Sequence, residues 1–177
     1  VNGVSTLGLF NGFARLNNNF QQVDYFLEMT GISSSIYVKQ NNDFIRITSS
    51  LRNKKGERIL LDKIHKDSKV FKNLEKKETS VILEKDENKT YLAVYAPIVN
   101  DNKIIGAFHI RNDFTKGLYS LLKELKDVVI GDSGYLYIFN KNNKFILHPT
   151  LENKSILTLK DYKTNPILKD TMNKEQG

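Results

Sequence analysis

The sequence predicts an α+β fold: an antiparallel β-sheet of about five strands with covering helices, followed by a second, incomplete module of the same kind. Three observations lead there. Apolar and polar residues alternate over short runs separated by Asn- and Gly-rich turns, the period of strands with one buried face. Other segments repeat apolar residues at helical spacing between capping signals. The stretch SSSIYVKQNNDFIRITSS (Ser33 to Ser50) also has a near echo in SGYLYIFNKNNKFILHPT (Ser133 to Thr150), each an apolar strand, an Asn-rich turn and a second apolar strand.

The 177 residues leave room for one large domain or two small ones. A hydrophobic content of 40%, with Tyr and Phe spread along the length, supports a packed core and excludes wholesale disorder. No run of about 18 apolar residues marks a transmembrane helix, and Val1 opens no signal-peptide pattern, so such segments read as absent or cut away. The lack of cysteine excludes a disulfide framework and a thiolate metal site, and leaves the compartment open. The net charge of +7 invites a nucleic-acid partner. Its distribution argues against one: lysines alternate with Glu and Asp in KNLEKKETSVILEKDENKTY, a solvated surface with no interleaved base-stacking aromatics.

A loop-rich entry over Val1 to Asn18 precedes a helix that Asn19 can cap. Gln22 then stands at the third helical position, Phe20, Val23, Phe26 and Leu27 share a face, and Gly31 supplies a left-handed end. Ser34 to Lys39 sets Ile36 and Val38 against Tyr37 and Lys39, QNND turns, and Phe44 to Leu51 returns as a hairpin partner. RNKKGER is a second turn, with a short strand expected at Arg58 to Leu61 and a short helix at Ser68 to Lys76 capped by Asp67. SVILEKDENKTYLAVYAPI and NDNKIIGAFHIRNDF read as strand, turn, strand, turn, strand. Phe114, Leu118, Leu121, Leu122 and Leu125 then recur at helical spacing, so Thr115 to Lys126, capped by Asp113, is an amphipathic connector. IGDSGYLYIFNKNNKFILHP opens a second hairpin, and NPILKDTMNK offers Asn165 as cap and Pro166 as first helical residue. The organisation expected is a first module over 1–113, a connecting helix over 114–128 and the start of a second module over 129–177. A lone hairpin is only marginally stable, so that second module is expected to be truncated.

Four ordered segments carry a resemblance: LNNNFQQVDYFLEMTG, IYVKQNNDFIRITSSLRNKKGER, TYLAVYAPIVNDNKIIGAFHIRNDFT and IGDSGYLYIFNKNNKFILHP. Together they span nearly the whole chain. It resembles the Cache sensor domains of the Cache 3 and Cache 2 fusion type found in methyl-accepting chemotaxis proteins. The resemblance implies a PAS-like sheet behind a long N-terminal helix, flanking membrane helices, a small-molecule pocket, a cytoplasmic output module and signalling as a homodimer. It places this region on the periplasmic or extracytoplasmic side of the inner membrane. Two positions depart from the family pattern: His109, where a small or apolar residue is usual, and Arg111, where glycine is frequent.

A pocket on a sheet face needs polar groups that converge on one side. Alternation puts Phe44, Arg46 and Thr48 on one face of their strand, Tyr91, Ala93 and Tyr95 on one face of a later strand, and His109 and Arg111 on one face of the last. Where those faces coincide, the site is a carboxylate receptor, because guanidinium offers a planar donor fork and hydroxyls fix orientation. Arg46, Thr48, Arg58, Tyr91, Tyr95 and His109 are the candidate ligand contacts. All but Thr48 also have a plainer role: a solvated or ion-paired Arg46, core or rim tyrosines, a satisfied strand histidine, and an Arg58 that braces the loop over the pocket. In the second echo Leu147 stands where Arg46 stands in the first, which places the ligand in the first module.

Catalysis finds no constellation. His65, His109 and His148 lack metal-ligand spacing, Ser133 in GDSGY lacks the Gly-x-Ser-x-Gly elbow, and no glycine-rich phosphate loop links a strand to a helix. The expectation is a non-enzymatic chemoreceptor sensor for a small anionic metabolite such as an organic or amino acid, needing no cofactor. The alternatives are the same module on a histidine kinase or diguanylate cyclase, and a ligand-free module that touches anionic lipid headgroups.

Overall fold

The computed structural model describes residues 1–140 and 142–160. The chain divides into two compact units, Val1–Thr115 and Lys116–Gly177. The helix expected after Asn165 lies outside the described residues.

In the first unit, a two-residue ladder of β1 (Phe10–Asn11) and β2 (Ala14–Arg15) leads to α1 (Gln21–Thr30). Then follow β3 (Ser33–Gln40), β4 (Asp43–Ser49), α2 (Lys69–Glu75), β5 (Ser80–Asp86), β6 (Lys89–Asn100) and β7 (Lys103–Asp113). The five long strands form one antiparallel sheet in the order β4-β3-β7-β6-β5, the α+β architecture expected from the sequence. Tight hairpins link β3 to β4, β5 to β6 and β6 to β7 because their turn residues accept positive φ: Asn41 (54°), Glu87 (52°), and Asp101 and Asn102 (44° and 62°). Gly106 lets β7 approach β3 closely, since a Cβ there would lie 2.2 Å from the Tyr37 carbonyl oxygen.

Alternation gives the sheet two apolar faces. Leu9 and Leu16 of the entry segment pack on Ile36, Val38 and Ile47. On the other face, the chain between β4 and β5 lays Ile64, Val70 and Leu74 over Tyr37, Phe44, Ala93, Tyr95 and Ala107. Full burial of side chains such as Leu74 or Ile47 contributes roughly 1.5–3 kcal/mol each.

The helix ends differ from expectation by one residue. α1 begins at Gln21 with Phe20 in the cap position, and Asn19 Oδ1 accepts from the Gln21 N–H at 3.3 Å, so no capping box with Gln22 forms. Its far end matches: Gly31 is left-handed at φ 70°, and its N–H donates to Leu27 O at 2.8 Å. Ser68, not Asp67, caps α2, its Oγ accepting from the Phe71 N–H at 3.1 Å.

The strand expected at Arg58 to Leu61 does not form. Arg58 bridges Arg52, the Ile59 N–H donates to Leu51 O, and Leu61 then turns to φ 66°, which no strand residue adopts. Beyond that kink the segment lies along the outer edge of β4. The Arg46 N–H donates to Asp62 O at 3.0 Å and the Leu61 N–H to Arg46 O at 2.9 Å. An edge strand is thereby covered without a sixth strand.

Helix α3 (Thr115–Lys126) starts where Asp113 Oδ1 accepts from the Thr115 N–H at 3.1 Å. In the second unit β8 (Val129–Ile130) pairs with β9 (Gly134–Tyr135), and β10 (Ile138–Phe139) with β11 (Phe145–Leu147). Phe145 and Ile156 form its small core.

Candidate functional site

The site grows from the sheet face that the β4–β5 connection covers. Directly paired residues on neighbouring strands share a face, so the register fixes its members. Tyr37 pairs with Arg46 on one side and Ala107 on the other, Tyr95 pairs with His109, and Ala93 pairs with Arg111. Arg46, Tyr37, Tyr91, Tyr95, His109 and Arg111 therefore lie on one face.

Thr48 does not join them. Ile36 pairs with Thr48 and Tyr37 with Arg46, which leaves Ile47 as the extra residue of a bulge. The bulge turns Thr48 to the opposite face, where its hydroxyl donates to Asn19 O at 2.7 Å. Arg58 is engaged elsewhere too. Its guanidinium grips Asp24 of α1 through Nη1 (2.8 Å) and Nη2 (2.6 Å), bonds Ser49 O at 2.7 Å, and lies 4.1 Å from the centre of the Phe20 ring. These contacts fasten the segment after β4 to α1.

The face opens into a cavity of about 230 Å³. Arg46, Tyr37, Tyr95, Asp62, Glu84 and Ser68 are among its lining residues. Arg46 is only 6% exposed, and its Nε donates to the Tyr37 hydroxyl at 2.9 Å, with Nη2 donating to the same oxygen. Burial pushes the Tyr37 hydroxyl up to about 12, so it stays protonated and keeps a hydrogen to donate. The second partner of the guanidinium is Asp62, 3.2 Å away at the rim, with its side chain 45% exposed. A buried cation is thus held between a phenol and a solvent-reachable carboxylate.

The opposite wall is acidic. The Tyr95 hydroxyl, itself pushed well above its ordinary value by burial, donates to Glu84 Oε1 at 2.8 Å. Glu84 Oε2 lies 3.0 Å from Arg111 Nε, and the Arg111 guanidinium sits 3.7 Å from the centre of the Tyr91 ring. Tyr91 thus supports Arg111 at the margin. His109 stacks on Tyr95 at 4.3 Å and meets Tyr37 edge-on at 6.3 Å. Burial, then the nearby Arg46 and Arg111 charges, press its pKa down to about 3, so the imidazole is neutral.

Tyr37, Asp62 and Glu84 join the site without having been singled out in the sequence. Alternation does place Tyr37 opposite Ile36 and Val38, and Glu84 in step with Ile82. Asp62 follows the kink at Leu61, where no period applies. Among the described residues no cluster of His, Asp or Glu is arranged to hold a metal ion, and no helix is long and apolar enough to cross a membrane.

The family model of the Cache 3/Cache 2 fusion domain matches residues 1–177, and the chain belongs to that family. None of the curated proteins compared with it matches. Among solved structures it is similar to the periplasmic domain of RsbU from Chlamydia trachomatis, with 15% identity and a TM-score of 0.47 over 77% of this chain and 48% of that one. It is also similar to the ligand-binding domain of the Pseudomonas aeruginosa amino acid chemoreceptor PctC in complex with GABA, with 16% identity and a TM-score of 0.42 over 70% and 53%. A third is the sensory domain of the Campylobacter jejuni chemoreceptor Tlp3, with 15% identity and a TM-score of 0.40 over 75% and 51%. The chain spans about half the length of these structures.

Proposed function

We propose that this Cache domain is the extracytoplasmic sensor of a membrane chemoreceptor, and that it binds a small carboxylate, an organic or amino acid, over Arg46. The observation that carries the reading is the Arg46 guanidinium, buried at the cavity floor while its carboxylate partner Asp62 stands at the rim. A buried guanidinium needs an anion, and the exposed half of this pair is the replaceable one. An incoming carboxylate takes the place of Asp62 at Nη2 and accepts the Tyr37 hydroxyl hydrogen, while the backbone bonds around Arg46 hold the floor still.

Released from the guanidinium, the Asp62 side chain turns away while its backbone stays bonded to β4, and the change in packing over the cavity reaches α2 and the sheet it covers. The receptor's membrane anchors carry that change onward, and the receptor works as a homodimer. A thermal-shift screen of organic and amino acids tests the reading. Stabilisation by at least one carboxylate, absent in Arg46→Ala, is expected; no stabilisation by any at millimolar concentration contradicts it.

A further inference from the structure

His109 is 1% exposed, and among the described residues neither Nδ1 nor Nε2 has a hydrogen-bond partner. A neutral imidazole carries one donor and one acceptor, and leaving both unmade in the interior is rare and costly. Packing alone does not call for it, since a leucine would fill the same place against Tyr37 and Tyr95 without that cost. Both of those rings line the cavity. The imidazole therefore lies immediately behind the cavity wall, against the two rings that form it.

We propose that His109 is a second ligand contact, uncovered when Tyr95 swings away, that reads a hydrogen-bonding group the ligand bears beyond its carboxylate. The proposal rests on the carboxylate-sensor reading and deepens it. Tyr95 acts as a latched door: its ring covers the imidazole, and its hydroxyl is held by Glu84, whose side chain is 24% exposed and open to competition from a ligand. The groups facing His109 are Arg46 on β4, Tyr37 on β3, Tyr95 on β6 and Arg111 on its own strand, with Glu84 of β5 behind Tyr95. Among the described residues no carboxylate bonds it. A neutral imidazole in the field of two guanidinium groups can both donate and accept, so it suits a hydroxyl or a second oxygen function. The ligand class is a short hydroxy acid or its close relatives, rather than a plain alkyl acid.

Matched pairs test this: L-malate against succinate and L-lactate against propionate, titrated by calorimetry into the wild-type chain, His109→Leu and His109→Gln, with melting curves of each. The wild type should prefer the hydroxy member of a pair by about tenfold or more, the worth of one well-made hydrogen bond. His109→Leu should melt higher without ligand yet lose that preference, and His109→Gln, which keeps a donor and an acceptor, should retain part of it. Unchanged preference in both variants overturns the proposal, leaving His109 a core residue or one that meets only a buried water. A wild type that binds these acids without preference overturns it alone. A wild type that binds none of them overturns the hydroxy-acid proposal, and the carboxylate-sensor reading falls with it only where the wider screen of organic and amino acids also finds no ligand.

Discussion

Arg58 holds Asp24 with both guanidinium ends, at 2.8 and 2.6 Å, and so fastens the segment after β4 to helix α1 on the side of the sheet away from the cavity. The fork is braced by Ser49 O and the Phe20 ring, which makes it stronger than an ordinary surface pair. Arg58→Ala should cost about 1–3 kcal/mol of stability by denaturant unfolding. Carboxylate affinity should change less than about threefold, a small energy on the scale of one hydrogen bond. A large loss of affinity with stability intact would show that Arg58 touches ligand after all.

Stability should fall as the solution is acidified from neutral. His109 has a folded pKa of about 3 against its ordinary 6.5, so between those values the unfolded chain takes up a proton that the folded chain refuses. Its contribution is complete above the unfolded pKa and is lost as the pH falls toward 3, at up to about 1.4 kcal/mol per pH unit. Asp24 is held below its ordinary carboxylate value by Arg58, so its contribution is present above that value and lost further down. Urea midpoints between pH 7 and pH 4.5 should drop in the wild type and flatten in His109→Leu; parallel curves would count against a buried neutral imidazole.

Helix α2 separates two adjacent capping candidates. Ser68→Ala removes the acceptor of the Phe71 N–H and should cost about 1 kcal/mol. Asp67→Ala should cost little, since that side chain is 89% exposed. Equal losses in the two variants would contradict the observed cap.

Asp62 occupies the guanidinium that the proposed carboxylate ligand would take. Asp62→Asn removes the competing charge while the backbone bond from Arg46 N–H to Asp62 O persists. Affinity for simple monocarboxylates should rise several-fold. A fall would mean that Asp62 contacts the ligand directly.

The sheet was legible in the sequence because alternation over Ser33–Gln40 and over most of Lys89–Asn100 and Lys103–Asp113 keeps one period, broken only by a register shift between Ile98 and Val99, and Asn-rich turns mark strand ends. That period also places Arg46, Tyr91, Tyr95 and His109 on one face. It failed where the backbone breaks step. The bulge at Ile47 costs the pattern one residue, so Thr48 changed sides, and Leu61 at φ 66° ended an expected strand. Asp62 was invisible because its place is set by hydrogen bonds to Arg46 rather than by periodicity, and Arg58 read as ambiguous because its partner lies in a helix 34 residues earlier. Side chains fixed by long-range pairing leave no local mark.

The most direct test of the central claim is calorimetric titration of small carboxylates into the wild-type chain, Arg46→Lys and Arg46→Ala, with Arg58→Ala as a control for general destabilisation. The wild type should bind at least one acid at one site per chain. Arg46→Lys should weaken it about tenfold or more, because an ammonium cannot reproduce the planar fork, and Arg46→Ala should abolish it. Binding that persists at wild-type strength in both Arg46 variants, or a wild type that binds no carboxylate, would contradict the account.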